Sequence, residues 1–187
     1  MAAGDKSHKG FLIKDDVLKN QESVFTSPIS CRECRMNTLC IPLSLRSDEL
    51  YKLDQVIQRG NPLQARQAVF NCGDKFTSIY AVRSGSIKQF YIDDDGREQV
   101  TGFYLPGELF GWDGLAEEHH QNTAIALETT SICEIPFEQL EQLGVSIPSI
   151  QRHLMKLLSR EITSDQKLIA LLAGHSAHQR LASLLLS

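Results

Sequence analysis

Ser78-Ile79-Tyr80-Ala81-Val82-Arg83-Ser84-Gly85-Ser86-Ile87-Lys88-Gln89-Phe90-Tyr91-Ile92 is the stretch that decides the fold. Two runs rich in β-branched and aromatic residues stand either side of a Ser-Gly turn. Outward from it the same texture continues, with runs of β-formers at 68–70, 78–82, 86–92, 99–105, 123–127 and 131–135. Turn signals separate them at Asn71-Cys72-Gly73-Asp74, Arg83-Ser84-Gly85, Asp93-Asp94-Asp95-Gly96 and Pro106-Gly107. Many short strands at this spacing predict an antiparallel sandwich or jelly-roll-type barrel.

Helical periodicity flanks the β region, which makes the class α+β. Ahead of it, Ser47-Asp48-Glu49 opens a helix with a hydroxyl at the N-cap and acids in the first turn. Leu50, Leu53, Val56 and Ile57 form its apolar stripe, and Gly60 with Pro62 ends it. After it, Pro136 closes the strands, 137–143 reads as a short helix, and Gly144 and Pro148 break that helix from a long one. The long helix, 149–173, lacks proline and glycine and ends at Gly174; at 1.5 Å per residue it is about 37 Å long. Met155, Leu158, Ile162, Asp165, Ile169 and Leu172 recur at three- and four-residue steps, a dimer-type seam with one charged intruder. Leu154, Leu157, Leu168 and Leu171 form an offset stripe suited to packing on the barrel. Packing of the seam itself on the chain's own barrel is the alternative. Leu181, Leu184, Leu185 and Leu186 begin another helix that stops in mid-pattern, as expected of a truncated domain.

The 187 residues, 42% hydrophobic and 22% charged, suffice for one domain with a real core plus an appendage. A formal net charge of -4 argues against a surface that neutralises many phosphates. The longest aliphatic run, 168–173, is too short to span a bilayer. Residues 1–20 mix Lys and Asp without a continuous apolar stretch, so neither a membrane partner nor a signal peptide is expected. Five clustered cysteines fit a reducing cytoplasm better than a disulfide framework.

Chemistry concentrates in Cys31-Arg32-Glu33-Cys34-Arg35-Met36-Asn37-Thr38-Leu39-Cys40. Cys-x2-Cys lets two thiolates from one tight turn face a single centre, and Cys40 returns a third. Three soft ligands are one short of a closed site, and thiolates at this spacing select zinc, copper(I) or iron–sulfur clusters. Cys72 and Cys133 are the remaining cysteines. Unrelated buried thiols and a structural zinc knuckle are the competing readings.

Cys31-x2-Cys34-x5-Cys40-Ile41-Pro42-Leu43 opens a longer pattern. It continues through Ala81-Val82-Arg83-Ser84-Gly85-Ser86-Ile87-Lys88, Glu98-Gln99-Val100-Thr101-Gly102-Phe103 and Leu127-Glu128-Thr129-Thr130-Ser131-Ile132-Cys133-Glu134-Ile135-Pro136-Phe137. Taken together, these segments resemble the FNR family of bacterial transcription regulators, the oxygen-sensing branch of the cyclic-AMP receptor protein superfamily. The resemblance runs in unbroken order from Cys31 to Ser187. It implies a 4Fe–4S cluster on Cys31, Cys34, Cys40 and Cys133, converted to a 2Fe–2S form by oxygen with loss of the dimer. Cys72 is then left as a structural residue.

The resemblance also implies an organisation. A lead-in (1–30) precedes a cluster-binding loop and helix (31–60), and a cyclic-nucleotide-binding-like antiparallel β-roll (61–145) follows. A dimerisation helix (146–174) leads to the start of a DNA-binding domain (175–187) whose helix-turn-helix is absent. The implied function is oxygen-responsive global regulation of anaerobic metabolism, with a homodimer, promoter DNA and RNA polymerase as partners. The acidic turn Asp93-Asp94-Asp95-Gly96-Arg97 corresponds to a loop that touches RNA polymerase in the family; a solvated hairpin turn is the alternative. Arg35 and Leu39, each beside a ligand, are the expected tuners of cluster reactivity through charge and solvent access. Asp165 would face its counterpart in a parallel dimer, which makes dimerisation marginal and switchable.

Other functions find less in the residues. Pro106-Gly107-Glu108-Leu109-Phe110-Gly111 resembles the start of a cyclic-nucleotide phosphate cassette, but Asn122 stands where its arginine belongs, and an amide cannot replace a charged, bidentate clamp. His119, His120, His175 and His178 are expected to have no chemical role, and no nucleophile elbow or P-loop appears, so an enzyme is not expected. An electron carrier would use the cysteines but leaves the long helix without a purpose.

Overall fold

The computed structural model describes residues 30–36, 39–41 and 45–174, with backbone alone for 171–174. One helix, α1 (Ser47–Val56), precedes seven strands: β1 (Ala68–Phe70), β2 (Ser78–Ser84), β3 (Ile87–Ile92), β4 (Glu98–Tyr104), β5 (Leu109–Phe110), β6 (Thr123–Ala126) and β7 (Ser131–Pro136). A single 3₁₀ turn, Trp112–Gly114, separates β5 from β6, and two helices close the chain, α2 (Phe137–Ser146) and α3 (Pro148–Gly174). The strands form two antiparallel sheets, β1-β6-β3-β4 and β5-β2-β7, packed as the predicted β-roll.

Between β2 and β3 the chain crosses from one sheet to the other at Gly85. Its φ is 81°, and a Cβ there would stand 2.8 Å from the Thr130 Cα, so only glycine fits. Inside the roll, Phe70, Tyr80, Val82, Ile87 and Phe110 form one buried cluster. A second cluster lies between the β5-β2-β7 sheet and the helices, where Leu53, Ile79, Ile135, Leu140 and Ile150 gather with Cys31 and Ile41.

Several boundaries differ from the sequence expectation for identifiable reasons. Ser47 is not the cap of α1, because a Glu49 Oε2 accepts the Arg46 backbone N–H at 2.9 Å and caps the helix one residue earlier. α1 stops at Val56, before Gly60, since the next residues extend to pair Gln58 with Glu134 of β7 through N–H···O bonds of 2.8 and 2.9 Å. Gly144 lies inside α2 and does not break it; the break is at Ile147, with Pro148 as first residue of α3, where its missing N–H costs nothing. β5 is a seventh strand in a stretch expected to be scaffold turn, too short for any periodicity to show.

α3 has two unlike halves. Ile150, Leu154 and Leu157 pack on the core, whereas residues 161–170 are all exposed. On the expected seam, Met155 (62% exposed), Ile162 (58%) and Ile169 (64%) face solvent with Asp165, and Leu158 is half-buried. Leu168, expected to pack on the barrel, is 52% exposed and lines the open cleft between α3 and the β4–β5 turn instead of closing on it. The side chains of Leu171 and Leu172, and the whole of 1–29 and 175–187, with His175 and His178, lie outside the described residues.

Candidate metal centre

The cysteine loop is laid against the outer face of β2 and β7. Backbone bonds from Glu33 to Ser30 and from Leu39 and Cys40 to Met36, 3.0–3.1 Å long, turn it tightly. Ile41 anchors it in the core with no exposure. Cys133 comes up from β7 opposite Ala81 of β2. Cys31, Cys34, Cys40 and Cys133 thereby line one small cavity of about 30 Å³ with Met36, Ile57, Ala81, Val82, Arg83 and Ile135. Cys72, expected to be the spare, structural cysteine, stands apart from the cavity and exposed at its turn, donating its backbone N–H to Thr123 Oγ1 at 3.0 Å.

Burial sets the electrostatics of these thiols. Desolvation pushes Cys31 and Cys40 up to about 12, and Cys133 is raised by the same cause. Mutual charge repulsion adds to it, since Cys133 acts on Cys31 and Cys40, and Cys34 acts on Cys40 and Cys133. Cys31, Cys40 and Cys133 are therefore neutral at neutral pH, and a metal would displace their protons. Four thiols on one apolar cavity are a soft donor set that suits a thiolate-bound metal. Among the described residues, no three metal-ligating side chains stand around a common ion position.

A cation that sequence reasoning missed reaches the site. Arg59 Nη2 donates to Cys31 Sγ at 3.2 Å and to Asp54 Oδ1, and that same Asp54 oxygen accepts the Cys31 backbone N–H at 2.8 Å. Arg59 and Asp54 side chains are only 10% and 20% exposed. Burial opposes ionisation of Asp54, but bonds from Cys31 and Arg59 outweigh it and hold its carboxyl below the usual range. Arg35, the expected neighbour of the sulfurs, is exposed. The available signal was an acid and a cation five residues apart where α1 ends. Leu39 is also exposed, and it lies on the β4–β5 turn, where a Cβ on Gly107 would stand 2.8 Å from the Leu39 Cβ.

The cassette region is filled from within. Asp113 Oδ2 accepts the backbone N–H groups of Gln121 (2.9 Å) and Asn122 (2.8 Å) and the Asn122 side-chain amide (3.0 Å), while His120 Nδ1 lies 3.1 Å from Oδ1. His120, expected to do nothing, is buried and stacked on Phe70 with ring centroids 3.6 Å apart. Asp165 lines a cleft between α3 and the β4–β5 turn with Glu108 and Glu161. Burial, then Asp165 and Glu108, raises the Glu161 carboxyl. The 93–97 turn is an ordered, solvent-facing hairpin end in which Asp93 Oδ1 accepts the N–H groups of Asp95 (3.1 Å) and Arg97 (2.8 Å).

A β-roll with a long carboxy-terminal helix and a cysteine centre on its outer sheet defines the class of cyclic-nucleotide-binding-type sensor modules, and residues 61–145 match the cyclic nucleotide-binding domain family. The chain belongs to the FNR family of regulators within that class. It is 46% identical over 157 residues to the transcriptional activator protein Anr of Pseudomonas protegens, covering 84% of this chain and 64% of that protein. To the fumarate and nitrate reduction regulatory protein of Escherichia coli it is 45% identical over 155 residues, covering 83% and 62%. The catabolite activator protein structure from Thermus thermophilus superposes with a TM-score of 0.62 at 26% identity, over 71% of this chain and 62% of that one. The chain thus spans less than two thirds of the length of each. These relatives are named as regulators, and the family is one of regulators, not enzymes.

Proposed function

We propose that this chain is the sensing and dimerising part of an oxygen-responsive transcription activator of anaerobic metabolism. The observation that carries the proposal is the gathering of Cys31, Cys34, Cys40 and Cys133, from a loop and a strand a hundred residues apart, on one water-poor cavity. These four would hold a 4Fe–4S cluster, which when bound supplies an oxygen-labile, redox-active centre. Three ligands from the loop and one from β7 would tie the loop to the roll. Ile57, Ile135 and Met36 keep water off the sulfurs. The Gln58–Glu134 bridge joins the end of α1 to the residue beside Cys133, so loop, helix and strand shift together.

The readout is association. Met155, Leu158, Ile162 and Ile169, with Leu172, supply the surface on which a second copy would pair, and Met155, Ile162 and Ile169 are exposed. Asp165 opposes that pairing by like charge, which keeps it weak enough to switch. A cytoplasmic homodimer would bind promoter DNA through a region carboxy-terminal to α3, and the 93–97 turn would meet RNA polymerase.

The test is an anaerobic absorbance spectrum with iron and acid-labile sulfide assays, repeated after a measured addition of air and paired with sedimentation. Matching iron and sulfide, a broad thiolate-to-iron absorption lost in air, and a fall in mass support the proposal. Stoichiometric zinc, or no metal after anaerobic reconstitution, overturns it.

A further inference from the structure

We propose that Arg59 is the built-in counter-charge of the cysteine centre, shared with Asp54, and that it sets the potential of whatever iron–sulfur group the four thiolates hold. The inference rests on the cluster reading above.

A four-thiolate iron–sulfur centre is net negative, and an anion in a dry site must be paired. Arg83 also acts by charge on Cys133, from the cavity wall. Arg59 is the cation that the structure places in direct contact with sulfur, through Nη2 and Cys31 Sγ. Its charge also acts on Cys133, so its field reaches both the loop cysteine and the strand cysteine. The guanidinium is not fully used by the protein. Nη2 serves Asp54 and Cys31, and Nη1 reaches the Ile57 carbonyl at 3.5 Å, but Nε is buried without a hydrogen-bond partner. An orphan donor in a desolvated site is costly unless something arrives to accept from it, and the acceptors this site is built to gather are sulfurs. Asp54 divides the charge: it draws on Arg59 while accepting the Cys31 N–H, so one carboxylate both holds the ligand and moderates the cation.

Charge and hydrogen bonds to sulfur are two of the levers that move an iron–sulfur potential, beside cluster type and solvent exposure. Removing the cation and removing its partner carboxylate must therefore act in opposite directions, whereas a merely structural pair would loosen the site in both variants. The experiment is a redox titration, under argon, of the reconstituted chain and of Arg59→Gln, Arg59→Lys and Asp54→Asn, each with its iron and sulfide content. Expected are a lower potential in Arg59→Gln, a higher one in Asp54→Asn and little change in Arg59→Lys. Iron release from Arg59→Gln to a chelator should be about 10-fold faster or more. An unshifted Arg59→Gln, or shifts of the same sign in Arg59→Gln and Asp54→Asn, overturns the assignment while leaving the cluster standing. If Arg59→Gln does not fold, Asp54→Asn decides alone, since only an upward shift is compatible. Failure of the parent chain to take up iron and sulfide removes the cluster reading and this inference with it.

Discussion

The two cores on either side of the β5-β2-β7 sheet are finished differently. Inside the roll, Phe70, Tyr80, Tyr104 and Phe110 stack with ring centroids 5.3–6.2 Å apart, and Asp113, where it enters, is met by His120, Gln121 and Asn122. Across the sheet the other core holds neutral thiols, a guanidinium with an unmet Nε and a cavity. The first is filled by its own side chains and leaves only the buried Gln89 Oε1 without a hydrogen-bond partner among its described residues. The second is incomplete, and the incompleteness sits where a signal would be received.

That contrast can be broken by substitution. The largest loss is expected from Phe110→Ala, which empties the centre of the ring stack and should cost about 3–5 kcal/mol in urea unfolding of the cluster-free chain. A loss under about 1 kcal/mol would mean that the roll is not the rigid half. Asp113→Asn should cost about 1–3 kcal/mol at neutral pH, because an amide turns a donor toward donors. The pH dependence sharpens it. Burial alone would raise Asp113, but bonds from His120 and Asn122 outweigh it and lower its pKa on folding. A folded value below the unfolded one means that its contribution is whole above about pH 4 and is lost as the pH falls through the folded value. Unfolding midpoints taken from neutral pH downward should therefore fall more steeply for the parent than for Asp113→Asn.

On the other side of the sheet, Cys133→Ala should cost only about 1 kcal/mol in the cluster-free chain, yet abolish iron and sulfide uptake. A stability loss comparable with that of Phe110→Ala would make Cys133 a packing residue. The smallest effect on folding, within about 0.5 kcal/mol, is expected from Asp165→Ala on the exposed half of α3. Its effect should appear in sedimentation, as association of the cluster-free chain. If the variant stays as monomeric as the parent, the charge has no part in the switch.

The roll was legible because glycine turns and β-branched runs are local signals, and six of the seven strands follow from them. The cysteine centre was half legible: three of the four cavity cysteines share one loop, but nothing in spacing chooses Cys133 over Cys72, and only the resemblance did. Arg59 and Asp54 escaped because their pairing with Cys31 depends on where α1 ends, and that depends on Gln58 finding Glu134 far along the chain. Asp113 was hidden for a similar reason, since its partners lie beyond an irregular loop without period.

The 27 residues of α3 make a rod about 40 Å long. The rod is seated at its first turns and exposed along 161–170. Such a rod is a lever: a tilt of about 5° at the Ile147 turn carries its far end sideways through about 3.5 Å, a large part of the roughly 8–10 Å between the axes of packed helices. A shift too slight to disturb the packing beside Ile150 would, at the other end, be enough to lift apolar side chains away from a facing helix. In the dimer proposed above, the helix would thus carry a small rearrangement near the sheet to a distant contact, with no hinge in the helix itself.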